Sequence, residues 1–113
     1  MLVFPDAEVL DIAGPLDILC AAGVRAAQDR QRALLVSEHG GLIRTYPSGI
    51  CVDSEPLASA ARTAIDTLLV PGGVGVEQAL TRPALLRFVQ RQAQRARRVV
   101  SICTGSFVLA AAG

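Results

Sequence analysis

Continuous apolar runs alternate along the chain with segments in which apolar residues recur every three or four positions. The continuous runs predict strands that are covered on both faces, at residues 2–4, 33–37, 66–73 and 97–102. The periodic segments predict helices at residues 14–27, 82–97 and 105–113. Residues 40–52 contain two short strand-like pieces that predict a hairpin. Gly14 and Pro15 suit the cap and the first turn of the first helix.

Strands that alternate with helices favour an α/β fold, a three-layer sandwich with a mainly parallel sheet between two layers of helices. In such sheets, ligands gather at the carboxyl ends of the strands. Three predicted loops meet at that edge, at residues 5–11, 71–75 and 103–105. The sequence therefore places any functional site there.

Composition and charge narrow the classes of function. The chain has 113 residues, which fits one domain, and its net charge of +1 gives no argument for binding nucleic acid or a membrane. No apolar run reaches the roughly 20 residues of a membrane span, and the start of the chain is unlike a secretory signal. The three cysteines, Cys20, Cys51 and Cys103, lack metal-ligand spacing. We therefore expect a reduced, cytoplasmic protein without a metal or a cofactor.

The turn from the last strand into the last helix carries the strongest chemical signal. Ser101, Cys103 and Gly105 form a nucleophile-elbow pattern, with cysteine in the position of serine and small residues where bulky ones would clash. A helix N-terminus at that point favours a thiolate, and the N–H of Thr104 would stabilise an oxyanion. The alternative is that Cys103 is a small core residue, because free cysteines are often buried.

Other residues at the same edge are candidate partners of Cys103. Gly72 and Gly73 end a strand with backbone that can approach a ligand and aim N–H groups at it, although a tight turn would need the same residues. Asp11 would donate a hydrogen bond to a neighbouring thiol when protonated; the alternative is a solvated loop residue. His39, the only histidine, lies in the turn after the second strand and is a further candidate base.

Three segments together resemble the ThiJ/PfpI branch of the class I glutamine amidotransferase-like superfamily: residues 2–19, 67–80 and 97–113. The resemblance implies a flavodoxin-like sheet. It also implies that Cys103, Asp11 and Thr104 are the catalytic residues. Gly72, Gly73 and Thr104 would then supply the donors to a ligand or an oxyanion.

Within that branch the chain is most similar to the amidase-like N-terminal domain of AraC-type (GlxA/FtrA) transcriptional regulators, through residues 40–45, 96–105 and 108–113. This similarity implies a domain that senses a small nitrogenous metabolite and pairs as a homodimer. DNA would be bound only by helix-turn-helix units that lie outside these residues.

Isonitrile hydratase is the alternative, and whether the chain is an enzyme stays open. In that relative, the cysteine that matches Cys103 attacks the isonitrile carbon beside the acid that matches Asp11, and Thr104 would supply supporting hydrogen bonds. The reaction hydrates a C–N multiple bond to an N-substituted formamide.

The superfamily domain is usually longer than this chain, and its later histidine-containing segment has no counterpart here. We therefore expect a single partial domain over residues 1–113, incomplete at both termini and without a DNA-binding domain. Such a domain would expose apolar sheet surface and an open strand edge.

Overall fold

The computed structural model describes residues 1–25 and 32–113, and these form an alternating series of helices and strands. In chain order the elements are α1 (Val9–Arg25), β1 (Val36–Ser37), β2 (Gly41–Arg44), β3 (Cys51–Pro56), α2 (Leu57–Ala60), β4 (Thr67–Val70), α3 (Val76–Leu80), α4 (Pro83–Ala93), β5 (Arg98–Ser101) and α5 (Gly105–Ala112). The predicted end of the first helix, at residues 26 and 27, lies outside the described residues.

The N-terminal segment joins two groups of strands into one sheet. β3 pairs with β1 in parallel and with β2 antiparallel, while β4 and β5 pair in parallel. Between these groups, the N–H of Leu2 donates to the carbonyl of Leu69 (2.9 Å), and the N–H of Val3 donates to the carbonyl of Val36 (2.8 Å). The sheet is therefore partly parallel, and the predicted α/β sandwich is confirmed.

The core surrounds this N-terminal segment and β4. Residues 1–4 are all buried, and so are residues 68–70. Val89 from α4 and Val108 from α5 belong to the same apolar cluster. Because both faces of these strands are covered, their sequences are continuous apolar runs rather than alternating ones.

The first helix begins earlier than the sequence predicts. α1 starts at Val9, so Gly14 and Pro15 lie inside it, and the prediction that they mark its start is wrong. Two contacts favour the longer helix: Ile12 is 2% exposed, and the Asp11 carboxylate accepts a backbone hydrogen bond from the loop after β4. Tertiary packing of this kind outweighs the local preference of proline for a first turn.

Other elements also differ from the prediction: β1 covers only Val36–Ser37 of the predicted residues 33–37, and α4 ends at Ala93 rather than at residue 97. The predicted hairpin forms from β2 and β3, but β3 continues to Pro56, where its end pairs with β1. α3 was not predicted, because its five residues are too few for a helical period to be recognised. Its buried residues, Val76 and Ala79, hold it against the core.

The expected apolar sheet surface is present on β5. Within residues 1–25 and 32–113, β5 pairs only with β4, and Val99 and Val100 are 37% and 38% exposed. Phe107, on α5, is exposed as well. In the same part of the chain, no helix has both the length and the apolar character that crossing a bilayer requires.

The close packing of α5 on β4 predicts different effects for two glycine-to-alanine substitutions. A Cβ at Gly105 would overlap the carbonyl oxygen of Val70 and lie 2.7 Å from that of Pro71, whereas a Cβ at Gly14 would meet no atom within 4 Å beyond its chain neighbours and the backbone of its own helix. Gly105→Ala should lower the free energy of unfolding by about 1–3 kcal/mol through overpacking. Gly14→Ala should change it by less than about 1 kcal/mol, because the backbone entropy that alanine saves in a helix is opposed by the contact of its Cβ with the ring of Pro15.

Urea unfolding of both variants beside the parent protein measures these changes. An unfolding midpoint for Gly105→Ala equal to that of the parent would show that α5 does not pack this closely on β4.

Candidate functional site

The turn between β5 and α5 holds Cys103 in an unusual backbone conformation. Its φ angle is 52°, in the left-handed region that residues other than glycine seldom adopt. The turn is fixed on both sides, because the N–H of Ile102 donates to Val70 (2.9 Å) and the N–H of Gly105 donates to the carbonyl of Ile102 (3.0 Å). Cys103 is exposed, so the alternative of a buried core cysteine is wrong.

The loop after β4 lies against this turn, and only glycine allows that approach. A Cβ at Gly72 would lie 2.6 Å from the Thr104 nitrogen and 2.9 Å from the Cys103 Cβ. Gly73 has a φ of 121°, and a Cβ there would lie 2.5 Å from the Glu8 nitrogen. A side chain at Gly72 would push this loop away from the turn that holds Cys103, and one at Gly73 would push it away from residues 6–8.

Two side chains accept hydrogen bonds from the backbone of this glycine pair. The N–H of Gly72 donates to Oδ2 of Asp11 (3.1 Å), and the N–H of Gly73 donates to Oγ1 of Thr104 (3.1 Å). Asp11 reaches the loop from the first turn of α1, and Thr104 reaches it from the residue before α5. The structure thus brings together five of the candidate residues predicted from the sequence: Cys103, Asp11, Thr104, Gly72 and Gly73. We refer to these five residues as the cysteine cluster.

The hydrogen bonds of the cysteine cluster determine which donors remain for a ligand. The N–H groups of Gly72 and Gly73 already have acceptors within the protein. The N–H of Thr104 has no acceptor among the residues described. Because the Thr104 hydroxyl accepts from Gly73, its own hydrogen is free to donate. Thr104 is therefore a source of donors toward a ligand at Cys103, whereas the N–H groups of the glycine pair are already engaged.

Asp6 supports the cluster, although it was not among the residues predicted to form the site. Its φ angle is 59°, and its carbonyl accepts the N–H of Gly75 (3.1 Å). The turn that contains it also carries Glu8, whose N–H donates to the Gly72 carbonyl (2.9 Å). The sequence signal was the Pro5–Asp6 pair, a combination that is common in turns.

The remaining candidates lie apart from the cysteine cluster or form no site. His39 lines a separate cavity whose lining does not include Cys103. Cys51 is exposed on β3, and Cys20 is half-buried on α1. In the part of the chain that the structure describes, no three histidine, cysteine or acidic side chains group so as to hold a metal ion.

Comparison with protein families gives one match over the whole chain. The model of the DJ-1/PfpI family matches residues 1–113. An uncharacterized protein in the cpoL 5′ region of Streptomyces lividans is 38% identical over 113 residues, which cover 100% of this chain and 77% of that protein.

Two relatives whose names state a function match this chain over different lengths. Isonitrile hydratase of Pseudomonas putida is 35% identical over 113 residues, 99% of this chain and 46% of the relative. The HTH-type transcriptional regulator Rv1931c of Mycobacterium tuberculosis is 49% identical over 49 residues, 43% of this chain and 19% of the regulator. The chain thus spans less than half of each of these two proteins.

Solved structures share the fold. A ThiJ/PfpI family protein from Pseudomonas syringae superimposes with a TM-score of 0.81 at 23% identity, over 99% of this chain and 44% of its own. Oxidized DJ-1 of Toxoplasma gondii superimposes with a TM-score of 0.78 at 22% identity, over 99% of this chain and 59% of its own.

The bond between Thr104 and Gly73 predicts a difference between two substitutions of similar size. Thr104→Val removes the acceptor, so the Gly73 amide should exchange with solvent about tenfold faster or more. Thr104→Ser keeps the hydroxyl and should leave exchange close to that of the parent. Hydrogen–deuterium exchange followed by NMR measures both. Equal protection of Gly73 in the valine and serine variants would contradict the bond.

Proposed function

The chain belongs to the DJ-1/PfpI family, and from that premise we propose that it is the small-molecule-sensing domain of an AraC-type transcriptional regulator. The ligand is a small nitrogenous metabolite bound at the cysteine cluster. Cys103 lines that site and contacts the ligand. The same proposal includes a homodimer in the cytoplasm, and DNA binding by a region outside these residues.

The observation that carries the proposal is the engagement of both glycine N–H groups. With Gly72 bonded to Asp11 and Gly73 bonded to Thr104, neither group is left to stabilise an oxyanion. Asp11 uses one carboxylate oxygen for Gly72, which leaves its other oxygen as an acceptor for an N–H or ammonium group. The cluster therefore offers a nitrogenous group a free acceptor, whereas it offers an oxyanion only donors outside the glycine pair, such as those of Thr104.

The regulators add support. Rv1931c and the HTH-type regulator GbdR of Pseudomonas aeruginosa are 49% and 46% identical to this chain over about 50 residues. The two relatives that match the whole chain, the Streptomyces lividans protein and isonitrile hydratase, have lower identities of 38% and 35%. The higher identity within the shorter segment therefore supports the similarity to the regulators.

Ligand binding by the full-length gene product tests the sensing role. Small amines, amides and quaternary ammonium compounds are screened by the shift each causes in Tm, and a compound that raises Tm is added to a promoter-DNA binding assay. Asp11→Asn should weaken binding of that compound about tenfold, because a carboxylate contact is lost. Cys103→Ala should retain binding, since the role of the thiol is contact rather than chemistry.

Two results would contradict the sensing role. One is a full-length product that has no DNA-binding region. The other is a compound that binds equally well to the Asp11→Asn variant and to the parent.

The second candidate function is isonitrile hydration, and the whole-chain match to isonitrile hydratase favours it. The Sγ of Cys103 would bond to the isonitrile carbon, which takes a proton from protonated Asp11. Water would then add to that carbon and return a proton to Asp11, the thiolate would leave, and a proton shift to nitrogen would give the N-substituted formamide. The exposed Cys103 and the nearby Asp11 are the groups that this sequence needs.

Incubation of the full-length protein with an alkyl isonitrile tests this candidate. If it is right, the formamide forms, and Cys103→Ala loses about 10³-fold or more in turnover because the covalent step is removed. Cys51→Ala is the matched control, because it removes another exposed thiol and should leave the rate unchanged. The absence of product, or equal turnover by the Cys103→Ala variant, would exclude the reaction.

A further inference from the structure

The cavity that His39 lines opens at the same edge of the sheet, separate from the cysteine cluster. Its volume is about 170 Å³, and it lies between the turn after β1, helix α3 and the start of α4. Val3, Phe4 and Leu85, all buried, contribute to its apolar lining. Cys103 and Asp11 are not part of that lining.

The turn that forms one wall of this cavity is held in place by hydrogen bonds. The buried hydroxyl of Ser37 bonds to the Ser54 hydroxyl (2.7 Å) and accepts the N–H of Gly40 (3.0 Å). Gly40 has a φ of 74°, and a Cβ there would lie 2.8 Å from Cδ of Pro56. These contacts fix the position of Glu38, which lies in the turn they form.

The mouth of the cavity carries one charge of each sign. Nη1 of Arg82 lies 3.5 Å from Oε2 of Glu38, and the two side chains are 45% and 26% exposed. This pair is long and uses a single guanidinium nitrogen, so it contributes little stability and opens at low cost. The other guanidinium nitrogens remain available for the two parallel hydrogen bonds that a carboxylate accepts from arginine. His39 and Gln78 complete the polar part of the lining.

We propose that this cavity binds a free α-amino acid with a small apolar side chain. The carboxylate of the ligand pairs with Arg82, its ammonium group pairs with Glu38, and its side chain enters the apolar interior. A simple acid would bring a second negative charge beside Glu38, and a simple amine would leave Arg82 without a partner. A zwitterion that enters between Arg82 and Glu38 gives each of these two charges a partner of opposite sign.

The size of the cavity sets the size of the side chain. An apolar cavity of about 150 Å³ in another protein accommodates benzene, so a volume of about 170 Å³ suits a branched aliphatic or single-ring side chain. L-leucine is therefore a suitable probe. Its two matched analogues are 4-methylpentanoate, which lacks the ammonium group, and 3-methylbutylamine, which lacks the carboxylate.

The cavity is adjacent to the cysteine cluster but independent of the function proposed for it. Gly75 lines the cavity and lies in the same loop as Gly72 and Gly73, so the two sites share one wall. The zwitterion contacts, however, involve none of the five cluster residues. A test must therefore distinguish binding in the cavity from binding at Cys103.

Isothermal titration calorimetry with the three probes tests the proposal. L-leucine should bind about tenfold more tightly than either analogue, because each analogue loses one charged contact. Arg82→Gln and Glu38→Gln should each weaken L-leucine binding about tenfold. Arg87→Gln is the matched control, since it removes the same charge from an exposed position on α4 outside the cavity. It should stay within about twofold of the parent, and so should Asp11→Asn, which would weaken binding only at the cysteine cluster.

Three results would overturn the proposal. The first is no measurable binding of L-leucine, and the second is equal affinity for L-leucine and 4-methylpentanoate. The third is loss of binding in Asp11→Asn with retention in Arg82→Gln. That pattern would place the amino acid at the cysteine cluster, which would support the sensing function while excluding the second site.

Discussion

The structure of the site depends on one constraint, the contact between the glycine pair after β4 and the turn after β5. A side chain at Gly72 would collide with the Cys103 Cβ and the Thr104 nitrogen, and one at Gly73 would collide with the backbone of Glu8. Without these side chains, three loops from different strands come together. Asp11 and Thr104 then reach the backbone N–H groups of the pair and hold it in one position. A buried N–H without an acceptor would cost about 1–3 kcal/mol, so the two side chains also stabilise the contact.

The fold brings these loops together through the order of its strands. Residues 1–4 bond to both β1 and β4, and β4 pairs in parallel with β5. The loops that follow the N-terminal segment, β4 and β5 therefore leave the sheet at one edge, as is general for parallel strands. Relatives of the DJ-1/PfpI family share this arrangement with TM-scores of 0.81 and 0.78, at identities too low to transfer a function.

Much of this arrangement could be predicted from the sequence, because it follows from local rules. The continuous apolar run at residues 68–70 indicated a buried strand, and the small residues around Cys103 indicated a tight strand-to-helix turn. The start of α1 could not be predicted, since burial of Ile12 and the contact of Asp11 with a distant loop override the local signal of Pro15. Nor could the occupancy of the glycine N–H groups be predicted, because it depends on side chains 61 and 31 positions away. The cavity beside Arg82 and Glu38 likewise results from tertiary packing that no motif marks.

The most direct test of the central contact is a nuclear Overhauser measurement between the α-protons of Gly72 and the β-protons of Cys103. A proton of Gly72 occupies the place of the Cβ that would lie 2.9 Å from Cys103 Cβ, so the account predicts a strong cross-peak. The corresponding experiment on Gly41 provides the background, because beyond its own residue and its two chain neighbours no heavy atom lies within 4 Å of its Cβ position. Absence of the cross-peak between Gly72 and Cys103 in an assigned spectrum of the folded protein would contradict the account.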